Sequence, residues 1–219
     1  MTAALETRIG YTFSRPALLD KALTHASFQG GSDDNERLEF LGDRVLGLAI
    51  ADLLFKAFPH EPEGSLAKRH TALVQQKAIV KVAEHLDFAS YLKLSPGEEK
   101  SGGHKKGKIL SDALEALIAA IYLDGGFSAA HSFIQEFWGD HLARQEAPPE
   151  DSKSRLQEWA QGKSLPLPKY ILVKKSGSDH APMFEVEVSV DGAGTVSAAA
   201  VSKRAAEKEA AHKMLEKIG

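Results

Sequence analysis

The sequence predicts a mainly α N-terminal domain followed by a small α+β domain of the order α-β-β-β-α. Three observations predict this division. Apolar residues recur at helical spacing through nearly every early segment, whereas strict alternation of apolar and polar residues appears late in the chain. Between them, Pro148 and Pro149 lie among charged residues without apolar periodicity, which is typical of a linker. We therefore predict domains at residues 1–144 and 151–219, joined by a linker at residues 145–150.

The helices of the first domain are indicated by their start and stop residues as well as by periodicity. A helix that begins near Ser14 has Pro16 in its first turn, which is a favoured position for proline. Apolar residues close to a helical repeat predict helix through residues 64–86. Residues 108–126 carry a broad apolar stripe that ends at a pair of glycines, and one more helix follows. The first domain is therefore expected to be all helical.

The second domain opens with a short helix and then changes periodicity. The segment "PKYILVKKS" predicts a first strand, and the strict alternation of "MFEVEVSV" predicts a second strand with one buried face. The segment "GTVSAAA", after the turn residues "DGAG", predicts a third and weaker strand. A last helix is expected to bury Ala206, Ala210, Met214 and Leu215. Helices that cover one face of a small antiparallel sheet form an α+β module.

Composition and charge restrict the class of protein. The chain has no cysteine, which excludes disulfides and thiolate metal sites and favours a reducing cytoplasm. No apolar run is long enough to cross a bilayer, and the first residues lack the pattern of an export signal, so we expect no membrane partner. The net charge is −5 over residues 1–150 but +2 over residues 151–219. The two parts therefore differ in character, and the second is the basic one.

The stretch "NERLEFLGD" places Glu36, Glu39 and Asp43 near one face of a predicted helix. The residues that follow are almost all apolar, so this helix is expected to be buried on most sides. Carboxylates close to a core are costly unless a cation meets them. The candidate cations are Arg37, Arg44, a lysine from elsewhere in the chain, or a metal ion.

A second acidic pair, Asp112 and Glu115, lies three residues apart on the apolar helix at 108–126. Two helices that offer carboxylates to a common point form a site of oxygen ligands, which suits a hard cation such as magnesium. No histidine pair stands at a zinc-binding spacing. An acidic row by itself is more often a solvated face or an ion-pair row. With the second pair, the metal site and the solvated face are about equally favoured by spacing alone.

These motifs, in this order and spacing, resemble those of the bacterial ribonuclease III family. In the first domain the resemblance lies in "NERLEFLGDRVL", "FPHEPEGSLAKRHTALV", "LSPGEEKSGG" and "ILSDALEALIAAIYLDGG". In the second domain it lies in "SKSRLQEWAQGKSLPLPKY", "GSDHAPMFEVEV" and "SKRAAEKEAA". It covers essentially the whole chain. The resemblance implies an endonuclease domain followed by a double-stranded-RNA-binding domain.

The resemblance also implies roles for single residues of the first domain. Four carboxylates are expected to hold a divalent metal ion: Glu39, Asp43, Asp112 and Glu115. Of these, Asp43 and Glu115 stand at the positions usually assigned as catalytic. Glu36 and Glu63 match supporting acidic positions near the site, and Phe40 matches an apolar residue that packs into the partner subunit. All six acidic positions are present, which favours an active enzyme.

Basic residues lie in the first turns of the last predicted helix: Lys203, Arg204 and Lys208. Cations there face the positive end of the helix dipole, an arrangement that suits a docked anion about as well as it suits a solvated face. The resemblance implies that they grip RNA phosphates, while Gln157, Glu158 and the loop residue His180 reach adjacent minor grooves. Glu207 lies within the basic cluster and is expected to weaken the phosphate grip slightly.

The expected function is therefore hydrolysis of double-stranded RNA by a homodimer that depends on Mg²⁺, with Mn²⁺ able to substitute. Metal-activated water would leave 5′-phosphate and 3′-hydroxyl ends, in the processing of ribosomal precursors and some messenger and transfer RNA transcripts. A two-fold dimer matches the local two-fold symmetry of a duplex. Two alternatives stay open: a duplex-RNA-binding protein without catalysis, and an acidic face that docks a protein. The intact carboxylates speak against the first.

Overall fold

The computed structural model describes residues 2–28, 33–143, 152–178 and 181–218. The chain divides into two compact units, Met1–Pro149 and Glu150–Gly219, and each unit is described by itself. The predicted linker at residues 145–150 and the predicted RNA contact His180 lie outside the described residues.

The first unit is helical throughout its described residues, apart from turns and one isolated β-bridge. Its helices are α1 (Thr2–Ile9), α2 (Pro16–Ala22), α3 (Glu36–Ala57), α4 (Glu63–Val74), α5 (Gln76–His85), α6 (Pro96–Lys100) and α7 (Gly107–Ala143). Short 3-10 turns at Phe88–Tyr91 and Gly103–Lys105 lie between α5 and α7. The predicted mainly helical fold class of this part is confirmed.

Helices α3 and α7 form the centre of the unit and pack against each other. At their crossing, Gly42 lies directly on the backbone of α7, and a Cβ added there would stand 1.7 Å from the carbonyl oxygen of Glu115. A side chain at residue 42 would therefore force the two helices apart. This contact fixes which turns of α3 and α7 face each other.

The predicted helix through residues 64–86 is in fact two helices, α4 and α5, which meet at Gln75 in an extended conformation. The indole of the buried Trp138 donates a hydrogen bond of 3.0 Å to the carbonyl oxygen of Leu73. In an unbroken helix that oxygen would accept from the amide four residues later. The break is thus stabilised by a residue of α7. The periodicity of residues 64–86 alone does not indicate this contact.

Helix α7 bends at Gly126, whose φ of 80° lies in the left-handed region that favours glycine. Just before the bend, the carboxylate of Asp124 accepts hydrogen bonds from the Tyr11 hydroxyl at 2.9 Å and the Ser14 amide at 2.8 Å. Burial acts to raise the pKa of Asp124, yet these donors, with Arg15, hold it below its usual value. Asp124 thereby fastens the segment before α2 to the centre of the unit.

By length and hydropathy α7 alone among the described helices could span a membrane. Most side chains between Ile109 and Ile121 are buried in the unit, however, which is the usual pattern of a central helix.

The second unit contains α8 (Ser152–Gly162), β1 (Lys169–Ser178), β2 (Ala181–Val190), β3 (Gly194–Ala200) and α9 (Lys203–Ile218). The strands form one antiparallel sheet in the order β1-β2-β3. Val188 of β2 packs in one cluster with Leu156 of α8 and Met214 of α9. In α9 the fourth buried residue is Ala211 rather than Leu215, because Leu215 lies further around the helix from the buried stripe. The predicted α-β-β-β-α order is confirmed.

Candidate metal centre and RNA-binding surface

Carboxylates from α3 and α7 converge beside the crossing at Gly42. One oxygen from each of Glu39, Asp112 and Glu115 lies within 4.8 Å of the other two, and all three residues are half-buried. Across the described ranges this is the one such group of possible metal ligands. We call these three residues the carboxylate group.

The geometry of α3 explains why Glu39 belongs to this group and Asp43 does not. Successive helical residues are turned by about 100°, so Glu39 lies about 60° around the helix from Gly42 and Asp43 about 100°. Asp43 therefore faces further from α7, and its carboxylate forms an ion pair with Arg44. The roles of Asp43 as metal ligand and catalytic residue stay predictions.

The two supporting acidic residues lie at helix starts. Glu36 is the exposed first residue of α3, and its charge contributes to raising the pKa of Glu39. Glu63 is the exposed first residue of α4 and is not a member of the carboxylate group. Their supporting roles also stay predictions.

Burial, followed by the charges of Asp112 and Glu39, raises the pKa of Glu115 to about 7. Burial and the charge of Asp112 likewise raise the pKa of Glu39. Lys108 partly offsets this repulsion, because its ammonium donates a hydrogen bond of 2.7 Å to Asp112 Oδ2. Three carboxylates that lie this close repel one another, and a hard divalent cation bound between their oxygens would offset that repulsion. The residues present therefore fit a divalent metal ion.

In the absence of metal, the wild type is expected to lose stability relative to Glu115→Gln as the pH rises from about 4.5 to about 7. An acid with a raised folded pKa contributes stability that is complete below its unfolded pKa of 4.5 and is lost as the pH rises through about 7. Glutamine resembles the protonated acid, so the two proteins should be equally stable at the lower pH. At the higher pH the variant should be more stable by on the order of 1–2 kcal/mol, after allowance for solvent screening.

Urea denaturation in EDTA at about pH 4.5 and about pH 7.5 measures this difference. Equal stabilities of the two proteins at both pH values would contradict the raised pKa of Glu115 and its assigned causes, burial and the neighbouring carboxylates.

The predicted basic residues Lys203, Arg204 and Lys208 are exposed in the first two turns of α9. The Ser202 hydroxyl, just before the helix, accepts a hydrogen bond of 3.2 Å from a backbone amide of the first turn and so caps the helix. Arg204 and Lys208 also line a cavity of about 430 Å³ together with Gln157 of α8. Helices α8 and α9 thus present a basic surface with a cleft between them.

Glu207, inside the predicted basic cluster, is engaged within the unit. Lys153 of α8 donates a hydrogen bond of 2.7 Å to its carboxylate, and the ammonium of Lys203 lies 4.0 Å away. The charge of Glu207 is therefore balanced by neighbouring cations, and the residue ties α8 to α9. Glu158, a further predicted RNA contact, is exposed on α8.

The sequence did not single out Gly42 or Lys108 of the first unit, and it left open whether Arg44 pairs with an acidic residue. Gly42 could have been singled out, because a glycine inside a helix costs about 1 kcal/mol unless packing requires it. Lys108 stands four residues before Asp112, which is an ion-pair spacing. Of the cations considered for the acidic residues, Arg44 pairs with Asp43 and a lysine, Lys108, pairs with Asp112.

Two family models match the chain, one for each unit. The model described as Ribonuclease-III-like matches residues 15–141, and the model described as Double-stranded RNA binding motif matches residues 152–218. A helical unit with clustered carboxylates, joined to a unit of this second kind, defines the class of double-stranded-RNA endonucleases.

Similar proteins place the chain within that class. Ribonuclease 3 of Ruegeria pomeroyi is 47% identical over 216 residues, which are 98% of this chain and 96% of that protein. Ribonuclease 3 of Ehrlichia ruminantium is 45% identical over 221 residues, which are 100% of this chain and 97% of that protein. The chain belongs to the ribonuclease III family, as its motifs predict.

A solved structure agrees with the fold of the first unit. The nuclease domain of ribonuclease III from Campylobacter jejuni is 44% identical with a TM-score of 0.60, covering 62% of this chain and 94% of that one. That structure is described as flexible in a region involved in dimer formation.

Proposed function

We propose that this chain, a double-stranded-RNA endoribonuclease of the ribonuclease III family, hydrolyses RNA with Mg²⁺ held by the carboxylate group. The observation that carries the proposal is the approach of oxygens from Glu39, Asp112 and Glu115 to within 4.8 Å of one another. Mn²⁺, which takes the same kind of ligands, is expected to substitute for Mg²⁺.

The residues of the chain have distinct tasks in this chemistry. A bound divalent ion supplies positive charge that lowers the pKa of a water and offsets charge on the reacting phosphate. The crossing at Gly42 fixes the spacing of the ligands. We assign the catalytic role to Glu115 together with Asp43, which lies one helical turn after Glu39 and is partly exposed to solvent. Attack of water on the phosphate forms a new P–O bond and breaks the bond to the 3′ oxygen, which takes up a proton, so the ends are a 5′-phosphate and a 3′-hydroxyl.

We propose that the active form is a homodimer. Phe40, Leu48 and Phe55 are 67%, 60% and 71% exposed on the side of α3 away from Gly42. Large apolar side chains grouped on one exposed face are typical of a partner surface. In a two-fold dimer the same face of each copy covers the other, and two copies of the carboxylate group address the two strands of a duplex. Glu36 and Glu63 are proposed as supporting acidic residues beside the RNA.

We propose that the second unit holds the duplex by its phosphates and 2′-hydroxyls. The proposed phosphate contacts are Lys203, Arg204 and Lys208, and the proposed minor-groove contacts are Gln157, Glu158 and His180. Exposed cations at a capped helix start support the first set, because the backbone amides there also attract anions. Duplex RNA hides its base edges in a deep groove, so recognition is mostly of shape.

Replacement of both Lys203 and Arg204 by alanine is expected to weaken duplex binding about 10-fold or more and to flatten its salt dependence by about one to two units of slope. The loss should be alike for unrelated duplex sequences, since phosphates carry no sequence information. Fluorescence anisotropy over a salt series measures both effects, in a Glu115→Gln background that prevents cleavage.

A matched control removes the same charge from the far end of α9, with Lys213→Ala and Lys217→Ala. It should leave affinity within about threefold. If the two double variants have the same salt slope, the phosphate contact has been placed wrongly.

Within the cell we place this activity in the cytoplasm, on ribosomal RNA precursors and some messenger and transfer RNA transcripts. Incubation of a labelled duplex with the purified protein, in Mg²⁺ or in EDTA, tests the function as a whole. Cleavage of both strands in Mg²⁺ alone supports it. Binding without cleavage in either condition supports the alternative of a non-catalytic duplex-RNA-binding protein.

A further inference from the structure

Lys108 contacts the carboxylate group but is neither a proposed metal ligand nor a proposed catalytic residue. Lys108 lies in the first turn of α7, and its Nζ is 2.7 Å from Asp112 Oδ2. The side chain of Lys108 is 75% exposed, whereas that of Asp112 is 18% exposed. The ammonium therefore reaches into the carboxylate group from a stem that lies in solvent and has room to swing away.

The dipole of α7 and the order of the two residues make this ion pair weaker than the reverse arrangement would be. A cation in the first turn faces the positive end of the helix dipole. A lysine that precedes its acidic partner by four residues is also in the weaker of the two possible orders. The reason for the contact is therefore neither the dipole of α7 nor the order of the two residues.

The carboxylate group provides that reason. The hydrogen bond to Asp112, the charge of Asp112 and then the charges of Glu39 and Glu115 raise the pKa of Lys108. In return, the charge of Lys108 acts to lower the pKa of both Glu39 and Glu115. One ammonium thus interacts favourably with all three carboxylates.

We propose that Lys108 is an internal counter-ion of the carboxylate group and must leave Asp112 before a divalent ion binds there. The proposal rests on the proposed function, because it takes the carboxylate group as the metal site. An ammonium and a divalent ion that share the oxygens of Asp112 lie a few ångströms apart and repel each other. Lys108 therefore stabilises the metal-free site and weakens the binding of the ion.

Titration with Mn²⁺ alone, without RNA, tests the proposal when the unbound ion is followed by electron paramagnetic resonance. Lys108→Met keeps the length of the side chain but removes its charge, so it should bind Mn²⁺ about 5- to 10-fold more tightly than the wild type. Lys108→Arg keeps the charge and should stay within about twofold. Lys108→Gln is a second neutral variant and should bind Mn²⁺ as tightly as Lys108→Met does. It tests the same loss of charge if Lys108→Met folds poorly.

Lys105→Met is the matched control, because it makes the same change of charge at an exposed position three residues away. It should bind Mn²⁺ within about twofold of the wild type. Glu115→Gln removes a proposed ligand of the carboxylate group and should lose most of the Mn²⁺ binding.

The outcomes separate the two proposals. If neither neutral variant at Lys108 binds more tightly than the wild type, while Glu115→Gln loses binding, the counter-ion role is wrong and the metal site stands. If Lys105→Met tightens binding as much as Lys108→Met, net charge explains the effect and the counter-ion role is again wrong. If the wild type and Glu115→Gln bind Mn²⁺ alike, the metal site fails and the counter-ion role fails with it.

Discussion

Glu115→Gln is expected to lower the rate of duplex-RNA cleavage by about 10³-fold or more while leaving duplex binding within about twofold. The substitution keeps the size of the side chain but removes the charge of a half-buried member of the carboxylate group. Because the contacts with RNA phosphates are placed on the second unit, the loss should fall on the chemical step. Single-turnover cleavage of a labelled duplex in saturating Mg²⁺, beside anisotropy in EDTA, separates the rate from the affinity.

Glu136→Gln provides the control, since it makes the same change at an exposed position of the same helix. Its cleavage rate should equal that of the wild type. A Glu115→Gln protein that kept a tenth or more of the wild-type rate would show that Glu115 does not carry the chemistry.

Gly42→Ala is expected to destabilise the protein by about 3 kcal/mol or more and to reduce cleavage about 10²-fold or more. The added Cβ would stand 1.7 Å from the carbonyl oxygen of Glu115, and backbone cannot rotate away as a side chain can. Helices α3 and α7 must then separate, which moves Glu39 away from Asp112 and Glu115. Urea denaturation measures the first effect, and single-turnover cleavage by the protein that remains folded measures the second.

Gly47→Ala is the matched control within the same helix. There the nearest atom to an added Cβ is the His70 Nε2 at 3.7 Å, an ordinary contact distance. Alanine in a helix interior is favoured over glycine, so this variant should be as stable as the wild type or more stable by about 0.5–1 kcal/mol. Similar losses from Gly42→Ala and Gly47→Ala would mean that the close crossing is not what positions the site.

Much of the fold could be predicted from the sequence because the periodicity of single segments indicates the helices and strands. The alternation in β2 and the apolar stripe of α9 follow from which residues meet a core, and both are visible in one segment at a time. The break at Gln75 was not predictable in this way. No glycine or proline marks it, and it is stabilised by the indole of Trp138, which lies far along the chain.

The candidate site, too, could be predicted only as far as single segments show it. The sequence shows that Glu39 lies on one helix and that Asp112 and Glu115 share another, but their meeting depends on the tertiary contact at Gly42. The crossing also decides which side of α3 faces α7, and Asp43, which lies further around the helix from it, pairs with Arg44 instead. Spacing alone therefore left a metal site and a solvated acidic face about equally favoured.

The most direct test of the proposed metal centre is anomalous X-ray scattering from crystals of the wild-type protein grown with Mn²⁺. A manganese peak is expected within about 2–2.5 Å of oxygens from Glu39, Asp112 and Glu115. The Lys108 ammonium should have moved away from Asp112 in the same crystals. Ordered carboxylates without a manganese peak between them, at a Mn²⁺ concentration that supports cleavage in solution, would contradict the claim that these three residues form the metal centre.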